Sequence, residues 1–163
     1  MADKLKILIS SRVNDQVPTA AGGRTTLREV RQEIRQRLRN AFDGHSIQVW
    51  INEEEPAETD LDAVGRCERW ADQAHLVLVI INGHPGAPTP RGLGICHLEL
   101  KTAVDDSPNK VLLIKVATKE TDRNFGFYPE FKHYFEGLWS NWRKFGATVT
   151  TAEEIVEKAV QSV

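Results

Sequence analysis

Five short runs of apolar, β-favouring residues recur along the chain and predict five β-strands. They are Leu5–Ser10, residues 47–51, Leu76–Ile81, Val111–Val116 and a weaker run at residues 147–149. In the first, third and fourth runs the apolar residues are continuous rather than alternating, which is typical of strands covered on both faces of a parallel sheet. The longest run is far shorter than the ~18 residues of a membrane-spanning helix, so no membrane segment is expected.

Between these runs, apolar positions recur with the period of amphipathic helices. The clearest pattern begins at Thr26, which forms a capping box with Glu29, and its apolar stripe predicts a helix that ends near Phe42. A second capping box, Thr151 with Glu154, predicts the start of the last helix. Further helices are expected over residues 60–72, 95–104 and the aromatic-rich segment 128–142.

Strands and helices that alternate with this spacing predict an α/β fold, a flavodoxin-like, doubly wound sheet of five parallel strands in the order 2-1-3-4-5. Ligands of such sheets bind outside the carboxyl ends of the strands where the order reverses, here between the first and third strands. Two long loops, residues 12–24 and the Pro/Gly-rich 82–94, frame the same edge. The residues that the sequence places there are Ser10, Ser11, Arg12, Asn82, Gly83 and His84.

Length and charge narrow the class of protein. The 163 residues suit one domain, residues 1–163, and the last helix has no stop signal before Val163, which predicts the N-terminal module of a longer protein. The net charge of −2 gives no overall basic character, so no nucleic-acid partner is expected. The N-terminus lacks the pattern of a secretory signal, which predicts a cytoplasmic location.

Opposite charges concentrate in two segments of the chain. The first predicted helix and the residues just before it contain six arginines, which are Arg24, Arg28, Arg31, Arg35, Arg37 and Arg39. These arginines spread around the helix, which favours a solvated face. An acidic segment follows the second strand, with Glu53, Glu54, Glu55, Glu58, Asp60 and Asp62. The charge opposition is the basis of a second interpretation, head-to-tail contact between copies of the chain.

Glu99 is the strongest candidate for chemistry. It lies in the first turns of the helix after the third strand, within reach of the predicted ligand edge. A carboxylate there can orient ribose hydroxyls or stabilise an oxocarbenium-like centre when a glycosidic bond breaks. The alternative is an acid that merely favours a helix N-terminus, an effect of ~0.3–1 kcal/mol.

Other common site patterns are absent from the sequence. The cysteines and histidines form no Cys-x-x-Cys or His-x-x-x-His pair, so no metal site is expected. No Walker A pattern and no Gly-x-Ser-x-Gly elbow occurs. Gly92-Leu-Gly94 resembles half of a dinucleotide fingerprint, but His97 stands where a third glycine belongs, so we interpret it as loop flexibility.

Four segments together resemble the TIR superfamily, more specifically bacterial TIR-like domains at the N-termini of large NTPase-containing and defence proteins. They are a first strand ending in Ser10-Ser11, a second strand Ile47-Gln-Val-Trp50, residues 71–83 as the third strand, and Cys96-His-Leu-Glu99. The last segment is similar to the Trp-Cys-x-x-Glu stretch whose Glu is catalytic in NAD-cleaving members, although Ile95 stands in place of the Trp.

The resemblance implies an NAD+ glycohydrolase, an enzyme that cleaves the nicotinamide–ribose bond, with NAD as substrate and no separate cofactor. Glu99 would be catalytic, Ser11 and Arg12 would line the pocket, and Trp50, Asn82 and Gly83 would lie around it. Activation by self-assembly into homo-oligomers and a role in bacterial anti-phage defence would follow. Two alternatives stay open, a non-enzymatic TIR-like assembly module and an enzyme of the nucleoside deoxyribosyltransferase kind.

Overall fold

A five-stranded parallel sheet forms the centre of the computed structural model, which describes residues 3–51, 63–142 and 146–163. The strands run in the order β4-β1-β5-β6-β7. The strands β2 and β3 form a separate hairpin, and when they are left out of the count this order is the predicted flavodoxin-like order 2-1-3-4-5. The bounds are β1 (Leu5–Ser10), β4 (Ile47–Trp50), β5 (Leu76–Ile81), β6 (Val111–Val116) and β7 (Gly146–Val149). The hairpin is β2 (Gln16–Pro18) with β3 (Arg24–Thr26).

In the described residues, six α-helices cover the two faces of this sheet. They are α1 (Leu27–Ala41), α2 (Ala63–Gln73), α3 (Ile95–Asp106), α4 (Lys119–Phe127), α5 (Pro129–Trp142) and α6 (Ala152–Gln161), with a 3₁₀ turn at Pro108–Lys110. Both predicted helix N-caps are confirmed, because the Thr26 hydroxyl accepts from the amide of Glu29 and the Thr151 hydroxyl accepts from that of Glu154. None of the described helices combines the length and hydrophobicity needed to cross a membrane.

Alternating side chains of β1 divide the core into two layers. Ile7 and Ile9 pack into a cluster with the apolar stripes of α1 and α6. Leu8 faces the opposite cluster, which contains residues of α2, α3, α4 and α5. Because side chains alternate along a strand, Ser10 at the end of β1 points to the same side as Leu8. This places a polar strand end beside α3.

Two elements differ from the sequence expectation. The predicted loop 12–24 contains the β2–β3 hairpin, whose three-residue strands are too short to show an alternating pattern. Helix α4 was not predicted; its N-cap is Thr118, whose hydroxyl accepts from the amide of Thr121. The acidic segment 53–62 lies outside the described residues, as do residues 60–62 of the second predicted helix.

Candidate functional site

A cavity of about 350 Å³ opens at the carboxyl ends of β1, β5 and β6, the edge that the strand order predicts for ligands. We call it the charged cleft. Its lining includes Arg12, Asp15, Arg24, Asn82, His84, Glu120, Arg123 and Asn124. The structure thus brings Arg12 together with Asn82 and His84, as expected from the sequence. An ion pair between Arg24 and Glu120 at 3.1 Å joins the hairpin to α4 across the cleft.

Asp15 connects the two sides of the charged cleft. Its Oδ2 accepts from Arg12 Nε at 3.1 Å and from Asn82 Nδ2 at 2.9 Å. Sequence reasoning did not assign Asp15 a role. Asp15 and Asn82 are 67 positions apart in the sequence, so no local sequence pattern predicts their contact. The carboxylate thereby fixes both candidate binding residues by charge-assisted hydrogen bonds.

The backbone at Gly83 packs tightly against α4. Asn124 Nδ2 donates to the carbonyl of Asn82 at 2.9 Å, which draws the helix onto the loop. Gly83 has φ of +85°, and a Cβ there would lie 2.5 Å from the carbonyl oxygen of Thr121. Only glycine fits this position without displacing its neighbours. Gly83 therefore shapes the wall of the site rather than offering a side chain to a ligand.

His84 is held in one tautomer by its neighbours. The amide of Gly86 donates to His84 Nδ1 at 3.0 Å, so the ring proton of the neutral form is on Nε2. Nε2 lies 3.1 Å from the hydroxyl of Tyr128, to which it donates. Burial, reinforced by the positive charge of Arg12 and opposed by Asp15, lowers the pKa of His84. The ring is neutral near pH 7.

Glu99 lies behind the charged cleft rather than in it. The side chain is 5% exposed, and Ser10 Oγ donates to its Oε1 at 3.3 Å. Burial raises the pKa of Glu99 to about 7, against the opposing effects of the Arg31 charge and the Ser10 hydrogen bond. A carboxyl group with this pKa is available both as acid and as base near neutral pH. Glu99 is not among the residues that line the charged cleft.

Arg31 corrects the interpretation of the basic helix as a wholly solvated face. It is 2% exposed, and its charge acts on both Glu99 and Cys96. The helical period contained the signal, because Arg31 stands four residues after Leu27 and three before Ile34 on the buried stripe of α1. A buried cation therefore faces the candidate acid from the other layer of the fold.

The remaining candidates have structural partners. Ser11 is 7% exposed, and its Oγ donates to the carbonyl of Arg12 at 2.6 Å. Trp50 stacks on Trp70 with ring centroids 5.4 Å apart and is not among the residues that line the charged cleft. Burial and the negative charge of Glu99 raise the pKa of Cys96 to about 12, which keeps this thiol protonated.

The Pro/Gly-rich loop caps the helix that carries Glu99. The carbonyl of Pro85 accepts from the amides of Cys96 and His97 at 2.8 and 3.0 Å, and the carbonyl of Ala87 accepts from Ile95 at 2.9 Å. The N-terminal amides of α3 are thus used by the protein itself and do not face a phosphate. Within residues 3–51, 63–142 and 146–163, no cluster of three His, Cys, Asp or Glu could hold a metal.

Comparison with known proteins identifies the family. The family model described as "Domain of unknown function (DUF4062)" matches residues 25–157. The chain belongs to the DUF4062 family. No curated protein shows significant similarity to it. The DUF4062 match includes Glu99, Asn82 and His84 but begins after Ser10, Arg12 and Asp15, so it covers only one side of the site.

Proposed function

We propose that this DUF4062 domain is an NAD+ glycohydrolase that cleaves the bond between nicotinamide and ribose, with Glu99 as the catalytic residue. The observation that carries the proposal is the environment of Glu99. The carboxyl group is buried beside the end of β1, hydrogen-bonded to Ser10, and has a pKa of about 7. Perturbed carboxyl groups at the carboxyl edge of an α/β sheet are typical of active sites. The resemblance to TIR domains supports the choice of substrate.

Cleavage of the nicotinamide–ribose bond requires one carboxylate as the catalytic group. Breaking the C1′–N bond sends its electron pair to the pyridinium nitrogen and leaves positive charge on the ribose, which an ionised Glu99 stabilises. The carboxylate also holds the ribose hydroxyls. Water then adds to C1′ and its proton passes to Glu99, so the products are nicotinamide and ADP-ribose. Attack by a group of the substrate instead of water gives a cyclised product.

The charged cleft is where the rest of the substrate would lie. Arg12, Arg24 and Arg123 line it and are the cations available to a diphosphate. Because Glu99 is 5% exposed, the wall between it and the cleft must open before substrate reaches the carboxylate. Contact with a second copy of the chain would supply that opening, which makes turnover dependent on self-assembly.

The burial of Glu99 also favours a second candidate, a TIR-like module that assembles without catalysis. In this function Glu99 is a buried structural acid that interacts with Ser10 and Arg31. Deoxyribosyl transfer between nucleosides is a weaker third candidate, because it uses the same kind of sheet and a comparable carboxylate. The three functions differ in the product that forms.

The deciding experiment follows nicotinamide release from NAD+ by clustered protein. We expect turnover by the parent domain and a loss of about 100-fold or more in Glu99→Gln, since the amide carries no charge to stabilise the ribose cation. Asp105→Asn is the matched control, because it makes the same change to an exposed carboxylate on the same helix and should leave the rate unchanged.

Each outcome separates the candidates. Equal rates for the parent and Glu99→Gln would remove Glu99 from the mechanism. No nicotinamide release at any degree of clustering, with assembly still measurable by sedimentation, would favour the non-enzymatic module. Exchange of a free base into a deoxyribonucleoside would identify the third candidate.

A further inference from the structure

A second cavity of about 350 Å³ lies between the Pro/Gly-rich loop and the junction of α4 with α5. We call it the aromatic cavity. The residues that matter for its chemistry are Pro85, Pro88, His97, Phe127, Glu130 and Phe131. Proline rings and aromatic side chains dominate its walls. A concave, mostly apolar cavity with a few polar groups is the common form of a small-molecule site.

His97 is the polar group that distinguishes this cavity. It is 7% exposed and packs between the rings of Phe131 and Tyr134, whose centroids lie 5.1 and 4.7 Å from its own. No described residue forms a hydrogen bond with the His97 ring nitrogens. Nor does any reach the buried hydroxyl of the adjacent Tyr134. The His97 ring lines the cavity, so its nitrogens are open to a partner that enters there.

The hydrogen-bonding capacity of the cavity is well defined. Burial, together with Lys101 and against the opposing charge of Glu130, lowers the pKa of His97. A neutral imidazole offers one N–H donor and one acceptor nitrogen. Glu130, exposed at the rim, adds a carboxylate acceptor. The polar edge therefore presents a donor beside an acceptor, and it suits a ligand edge with a ring nitrogen next to an amino group.

The walls of the cavity are organised before any ligand arrives. Thr89 donates to the carbonyl of Leu93 through its hydroxyl at 2.7 Å and its amide at 3.0 Å, and Pro88 bridges to Gly94. Phe127 stands at the cavity with 71% of its surface exposed. A large apolar side chain this exposed loses water when a flat ring covers it.

We propose that the aromatic cavity binds a planar, amino-substituted nitrogen heterocycle, of which the adenine ring is the representative. The faces of the ring pack against the proline and aromatic walls and against Phe127. The ring nitrogen accepts from His97, and the amino group donates to Glu130. Binding here requires no turnover, so the inference stands or falls separately from NAD+ cleavage.

The probe is adenosine, titrated into the full chain and followed by saturation-transfer NMR and calorimetry, with inosine as the matched ligand that lacks the amino group. We expect saturable adenosine binding below about 1 mM and at least about 10-fold weaker binding of inosine. His97→Phe keeps a ring between Phe131 and Tyr134 but removes the hydrogen bond, and it should weaken adenosine binding about 10-fold.

Two exposed positions test the proposal without risk to folding. Glu130→Gln should weaken adenosine about 10-fold, whereas Glu136→Gln, the same change on the same helix, should have no effect. Phe127→Ser should also weaken binding, and Phe42→Ser, which removes another exposed phenyl group, should not. Absence of saturable binding, equal affinity for adenosine and inosine, or unchanged affinity in His97→Phe and Glu130→Gln would each overturn the proposal.

Discussion

The charged cleft and the aromatic cavity have the same volume, about 350 Å³, and lie on either side of one wall. They differ in whether their polar side chains are hydrogen-bonded to other residues of the protein. In the cleft, Asp15 binds Arg12 and Asn82, and Asn82 also contacts α4 through its carbonyl. In the cavity, the His97 ring nitrogens form no hydrogen bond with a described residue. His84, which lines the cleft, and Tyr128, which lines the cavity, form the wall between them and are joined by a hydrogen bond.

This difference in hydrogen bonding indicates which of the two sites must rearrange before it can bind a ligand. A ligand entering the charged cleft must replace hydrogen bonds that the protein already makes with itself, and Glu99 lies one layer deeper. A ligand entering the aromatic cavity meets the His97 ring nitrogens, which form no hydrogen bond with a described residue. The proposed NAD+ cleavage therefore depends on a conformational change at the cleft, whereas the proposed binding in the aromatic cavity does not.

The largest effect should come from breaking the packing behind the cleft while sparing the cavity. Gly83→Ala places a Cβ 2.5 Å from the Thr121 carbonyl at φ of +85°, so we expect a loss of about 4 kcal/mol in the free energy of unfolding. Gly92→Ala is the control, because Gly92 has the same φ of +85° but open space around it, and it should cost about 1 kcal/mol. Chemical denaturation measures both, and equal losses would show that packing against α4 contributes nothing.

The next effect is the pH dependence of stability contributed by Glu99. Because its pKa rises from 4.5 to about 7 on folding, the folded chain keeps a proton that the unfolded chain releases between these values. The free energy of unfolding should therefore fall as pH rises through this window, by up to about 3 kcal/mol, and then level off. Glu99→Gln should lose this decline and Asp105→Asn should retain it. A decline that persists in Glu99→Gln would assign it to another group.

The smallest effect concerns the wall that separates the two sites. Tyr128→Phe removes the hydroxyl that accepts from His84 Nε2 and leaves the ring contact, whose centroids are 4.6 Å apart. We expect a loss of about 1 kcal/mol in the free energy of unfolding, measured by thermal denaturation. The double variant with His84→Gln sharpens the comparison, because a cost equal to the sum of the two single changes would mean that the pair does not act as a unit.

The sequence predicted the parts of the fold that depend on local pattern. Continuous apolar strands and two capping boxes at Thr26 and Thr151 identified the sheet and two of its helices, and strand spacing identified the ligand edge. The charged cleft lies at that edge. These features depend on residues a few positions apart, where period and propensity suffice.

The contacts that build the site come from residues distant in sequence. Asp15 reaches Asn82 across 67 positions, and His84 reaches Tyr128 across 44. The ring of Trp50, at the end of β4, stacks on Trp70 of α2, a contact between two elements that no local pattern indicates. The depth of Glu99 and the position of His97 in the wall of the aromatic cavity depend on how a loop and several helices pack together, which no single segment encodes.

The carbonyl of Pro85 joins the Pro/Gly-rich loop to the N-terminus of α3 by hydrogen bonds. It accepts two amides at the start of the helix that carries Glu99, so the loop cannot swing away without uncapping that helix. Both sites border this loop, and His97 donates one of the two amides. We therefore expect a ligand bound in the aromatic cavity to stabilise the loop together with the start of the helix that carries Glu99.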